Sequence, residues 1–171
     1  MRNVTVAAGL FLAAYAAAAQ APPKSQLGTI SQLIAGARVE VVYRRPVARG
    51  RELFGALVPW GKIWTPGADS AVRISLSGAM DVNGSELPAG TYGVWTIPDS
   101  NSWVLIFTRN AVAFHTRFPA GNDALRVKAT PLRGNHVETL QWEFPMVDAD
   151  SAILQLHWGT VIVPLHLKTR P

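Results

Sequence analysis

Apolar and polar residues alternate along most of the chain. Val39, Val41 and Tyr43 stand against Arg38, Glu40 and Arg44, and Val72, Ile74 and Leu76 against Arg73, Ser75 and Ser77. A period of two marks a half-buried strand, because successive side chains point to opposite faces. The same reading gives strands over 37–44, 71–77, 91–97, 102–108, 124–129, 136–144, 151–158 and 160–167. The run 102–108 is apolar almost throughout, as a strand covered on both faces would be. Asn83-Gly84 is a hairpin signal, since both central positions of such a turn need positive φ. Gly159-Thr160 is read as a second hairpin turn, with Trp158 facing Val161 and His157 facing Ile162. Short strands at this spacing predict an all-β fold. The expected architecture is a single-domain antiparallel β-sandwich, jelly-roll-like or Greek-key. One long irregular region, 45–70, interrupts it, and within that region 52–58 is read as a turn or two of helix.

The first residues follow another pattern. Arg2 precedes an uncharged, mostly apolar run from Val4 to Ala19, and small residues follow. This is the order of a secretory signal peptide, and the run is shorter than the ~20 residues that span a bilayer. Cleavage near Ala19-Gln20 is expected. Residues 20–28 then form a flexible leader and 29–171 the folded domain. The protein is expected to be exported, periplasmic or secreted.

Composition narrows the chemistry. The chain has 171 residues, 49% hydrophobic and 16% charged, which suits one domain with its own core. It has no cysteine, so disulfides, thiolate metal sites and cysteine nucleophiles are excluded. The formal net charge is +5. No Lys/Arg-rich run carries interleaved aromatics, so nucleic acid is not an expected partner. The membrane is expected to be met only transiently, through the signal peptide, and the oligomeric state is left open.

A longer set of residues carries a family resemblance. Tyr43-Arg44-Arg45-Pro46, Gly50-Arg51, Phe54-Gly55, Val58-Pro59-Trp60-Gly61 and Trp64 with Gly67-Ala68-Asp69 open it. Leu87-Pro88-Ala89-Gly90, Tyr92, Ile97-Pro98, Trp103 and Leu154, Leu156, Trp158 and Val163-Pro164 continue it. Over about residues 25–168 the chain resembles the bacterial domain of unknown function 2911 (DUF2911). The resemblance implies an exported all-β domain and supplies no catalytic residue. Such proteins often carry Arg-Thr after the tryptophan at Trp64, where this chain has Thr65-Pro66.

The candidate site lies in the irregular region, where binding residues tend to concentrate. Arg44, Arg45, Arg49 and Arg51 offer planar guanidinium forks for an anion. Equally, such arginines pin a long loop through pairs with Glu40 or Asp69. Trp60 and Trp64 offer a stacking wall for a sugar or other flat ligand, or plugs for the core. The expected ligand-binding set is Tyr43, Arg45, Arg51, Trp60, Trp64 and Asp69. The four histidines, His115, His136, His157 and His166, show no metal-binding spacing, and no nucleophile motif occurs. On the hairpin reading, His157 and His166 lie ~13 Å apart on one face, too far to share a metal. No metal and no cofactor are expected. The leading reading is a non-catalytic binding module for a small anionic or carbohydrate-like ligand. The alternatives are a small hydrolase or isomerase using Asp69 and a histidine, and a cell-envelope protein-interaction domain.

Overall fold

The computed structural model describes residues 22–170. The segment read as a signal peptide lies outside the described residues. Ten strands form two antiparallel sheets, and the described residues contain no helix. The strands are β1 (Gln26–Ile34), β2 (Ala37–Arg45), β3 (Val72–Leu76), β4 (Met80–Val82) and β5 (Ser85–Leu87). They continue with β6 (Gly90–Ile97), β7 (Trp103–Thr108), β8 (Asp123–Ala129), β9 (Leu132–Val147) and β10 (Ser151–Thr169). One sheet has the order β1-β2-β3-β6-β7-β8 and the other β5-β4-β10-β9. The fold is the all-β sandwich that the alternation predicts.

The two sheets face each other across one apolar core. β2 contributes Val39, Val41 and Tyr43, β3 contributes Val72, Ile74 and Leu76, and the opposite sheet answers with Leu140, Trp142, Leu154 and Leu156. β7 is buried on both faces, as its unbroken apolar run requires. Trp103, Leu105 and Phe107 point to the main core. On the outer face Ile106 packs with Ala71 and Trp95 under Ala113 and Phe118 of the β7–β8 loop.

Four expectations change. The leader ends earlier than expected, because β1 starts at Gln26 and pairs with all of β2. Its inner face holds Gly28, Ile30, Gln32 and Ile34, while Leu27 and Leu33 point outward and are exposed. Apolar residues on both faces hide the period of two. The segment 52–58 is not helical. The Val58 N–H donates to the Leu53 carbonyl (2.7 Å) and the Gly55 N–H to the Val58 carbonyl (2.9 Å), closing a compact turn. β9 is longer at both ends than predicted. Finally, Gly159-Thr160 is no turn. β10 runs unbroken from Ser151 to Thr169, and its pairing with β9 shifts register on either side of Gly159 (φ 57°). A bulge inserts one residue and exchanges the two faces of a strand, as a two-residue turn would in sequence. Leu154, Leu156 and Trp158 therefore share the core with Val163, Leu165 and Leu167 although their parities differ. His157 and His166 lie nine residues apart on one strand, ~30 Å at 3.3 Å per residue.

Candidate functional site

The chain leaves β2 at Arg45 and crosses to the second sheet. Val47 bridges Thr139, the Ala48 N–H donates to the Glu138 carbonyl (2.8 Å), and the Leu140 N–H donates to the Pro46 carbonyl (2.9 Å). Pro46 lacks an N–H and so fits an edge position. The arginines of this stretch fasten the crossing. Arg45 Nε donates to the Leu140 carbonyl (3.4 Å), and Arg51 donates through Nε to Ala48 (2.8 Å) and through Nη2 to Val47 (2.6 Å). The Arg49 N–H donates to the Glu138 carboxylate. Arg44 lies on the outer face and donates to the Ser25 carbonyl (3.3 Å). None of the four forms an ion pair with Glu40 or Asp69.

Beyond the crossing, the loop folds over the end of the sandwich where β7 begins. Leu53 and Val58 are buried and anchor it. Leu53 rests on Gly159, where a Cβ would lie 2.8 Å from Leu53 Cδ1. This seats Phe54 at the centre of an aromatic cluster. Its ring centroid lies 5.3 Å from Trp103, 6.0 Å from Trp60, and 6.2 Å from both Trp64 and Trp158. Trp64 stacks on Trp158 at 6.1 Å and 14°. Trp103 and Trp158 are fully buried, whereas Trp60 is 42% exposed. The Trp60 ring packs beside Gly55, whose missing Cβ would lie 2.7 Å from the indole nitrogen.

Above this aromatic floor lies a groove of about 680 Å³. Phe54, Trp60 and Trp103 line its apolar side, and Arg51, Arg133 and His136 bring cationic or titratable groups. Glu52 and Asp99 also line it. His136 Nε2 lies 3.1 Å from Glu138 Oε2. The hydrogen bond from His136 and that from the Arg49 N–H hold the Glu138 carboxyl below its ordinary value of 4.5. Both contacts favour the charged form, and the first ties His136, a groove residue, to Glu138.

Of the six residues expected to bind ligand, Arg51 and Trp60 meet in the groove. Tyr43 is buried, and its hydroxyl accepts the Trp142 N–H (3.0 Å). Arg45 holds the sheet crossing. Trp64 packs inside, exchanging backbone hydrogen bonds with Thr96 (2.8 and 2.6 Å). Asp69 is exposed in a turn at φ 63° and is not among the groove residues. Its carbonyl accepts the His115 N–H (3.4 Å). The other histidines have other partners. His136 bonds Glu138, and His157 lies 3.0 Å from the Asn135 carbonyl and 3.7 Å from Glu143. Sequence reasoning missed Glu52, Phe54, Asp99, Trp103, Arg133 and His136 as groove residues. Asp99, Trp103, Arg133 and His136 come from the β6–β7 and β8–β9 ends, and only the fold brings them beside the 51–60 loop.

The molecule is thus an all-β sandwich with a groove at one end, walled by a loop that ties the two sheets together. Its sequence matches the family described as Protein of unknown function (DUF2911) over residues 25–167, and the chain belongs to that family. No curated protein and no solved structure matches it. The Thr65-Pro66 departure falls away from the groove residues. Thr65 is buried, its hydroxyl donating to the Val94 carbonyl (2.9 Å) and accepting the Val72 N–H (3.0 Å).

Proposed function

We propose that this protein is an exported binding module whose end groove takes a saccharide bearing an acidic group. The observation that carries the reading is the exposed Trp60 ring beside Arg51, Arg133 and His136 in one groove. A tryptophan face supplies area for a sugar ring at small entropic cost. Guanidinium groups pair with a carboxylate or sulfate. Glu52 and Asp99 offer acceptors for hydroxyl donors. The volume falls in the range of ligand pockets, ~300–1,000 Å³.

Thermal melting with uronic acids, neutral hexoses and simple organic anions tests this. A uronic acid at a hundredfold excess over its Kd is expected to raise Tm by about 5–10 °C. Trp60→Ala is expected to remove the shift, and Arg133→Ala to remove the preference for acidic over neutral sugar. A flat response to every saccharide, acidic or neutral, would overturn the reading.

A further inference from the structure

A second surface lies on the outer face of the six-stranded sheet. There the β7–β8 loop crosses the outer face of β6 and carries Val112 at 85% exposure and Phe114 at 56%. The loop is held in place. Thr108 Oγ1 donates to the Asn110 carbonyl (3.0 Å), Asn110 Oδ1 accepts the Val112 N–H (3.1 Å), and the Ala71 N–H donates to the Ala113 carbonyl (2.9 Å). Gly93 beneath it has no room for a side chain, since a Cβ would lie 2.8 Å from the Asn110 carbonyl oxygen. This bonded frame holds Val112 pointing outward.

A shallow groove beside this loop joins Val112 to Leu27, which is 61% exposed, and is also lined by Arg44 and Arg73. Lys24 precedes Ser25, to which Arg44 donates, and Arg117 follows Phe114 by three residues. Among the described residues, none of these four cations has a carboxylate within ion-pair distance. Two acidic residues lie near this surface: Glu40, on the outward face of β2 two residues before Val42, and Asp69 in the adjoining turn, whose carbonyl accepts the His115 N–H.

We infer that this face is a docking surface for an anionic lipid membrane. Protruding Val112 and Phe114 can enter the boundary between headgroups and acyl chains. The guanidinium groups behind them reach the phosphate level on their long stems. The charge decides the occupant: unpaired cations framing an apolar tip complement anionic headgroups. The inference extends membrane contact beyond the transient, signal-peptide encounter expected from the sequence.

The test is co-sedimentation of the chain from Gln20, which keeps every described residue, with vesicles. One set mixes phosphatidylglycerol and phosphatidylcholine in equal parts, and the other is phosphatidylcholine alone. The protein is expected to bind the anionic vesicles and to bind the neutral ones far more weakly. Arg44→Gln with Arg73→Gln is expected to weaken anionic binding about thirty-fold. Val112→Asp with Phe114→Ser is expected to weaken it about tenfold or more while lowering Tm by only a few degrees, since Val112 is largely in water and Phe114 more than half so. Failure to sediment with anionic vesicles overturns the inference. So does equal binding to neutral vesicles, or binding that survives both pairs of substitutions.

Discussion

Substituting Gly159 by alanine probes the joint on which the groove is built. Two penalties add. A residue with a Cβ at φ 57° costs about 1–2 kcal/mol. The new methyl would also lie 2.8 Å from Leu53 Cδ1, in a contact that forces repacking worth about 1–3 kcal/mol. Leu53 meets it with the free end of its side chain and can yield in part, so the sum falls near the lower half, about 2–3 kcal/mol. In a domain of this size that lowers Tm by about 4–12 °C. Leu53→Ala alone removes a buried side chain and is expected to cost about 2–4 kcal/mol. The decisive quantity is the double variant. If Leu53 is what the methyl strikes, the two losses overlap, and their sum exceeds the double loss by about 1–2 kcal/mol. Urea unfolding of the four proteins, followed by tryptophan fluorescence, measures this. Losses that add within ~0.5 kcal/mol would refute the seating of the loop on the bulge.

Other consequences follow from single contacts. Ala35 sits at φ 45° in the β1–β2 turn, so Ala35→Gly is expected to raise Tm by about 2–4 °C, measured by thermal melting. Tyr43→Phe strands the buried Trp142 N–H and is expected to cost about 1–3 kcal/mol by urea titration, with groove binding unchanged. The Glu138 carboxyl, held low first by His136 and then by the Arg49 N–H, contributes stability that is present above its unfolded pKa. That contribution is lost as pH falls through the folded value. An NMR titration should place its midpoint below 4.5, and His136→Ala should move it upward; an unmoved midpoint would remove His136 as the cause. Gly55→Ala is expected to displace the Trp60 ring and quench saccharide binding while leaving the sandwich folded, as a binding titration with circular dichroism would read.

Period-two patterning exposed β2, β3 and β7 because each presents one consistent face, or two apolar ones, to its surroundings. It failed where the face pattern is blurred or reversed. β1 carries Leu27 and Leu33 outward and Gln32 inward, so no alternation survives. The parity change at Gly159 has two structural solutions, a turn or a bulge, and residue types alone do not separate them. Candidate residues divided by what the backbone leaves open. Trp60 and Arg51 reach the groove from a loop already suspected. Tyr43, Arg45 and Trp64 were drawn into backbone and core, because a chain that changes sheets has carbonyls and cavities to fill. Arg133, His136 and Asp99 carry no local signal, since the 51–60 loop they face across the groove lies far from them in the chain.

The place of β10 in the second sheet has a consequence for how the molecule is made. This last strand lies between β4 and β9, pairing Leu167 with Val82 and Ile162 with Leu132. Until it arrives, β4 and β5 have only each other, and an isolated two-stranded ribbon is marginal in water. The sheet crossing at 46–48 also waits, because its partner β9 is synthesised some ninety residues later. Contacts so distant in sequence slow folding. The second sheet is therefore expected to close only once β10 is available, and a protein truncated within β10 is expected to lose that sheet as a unit.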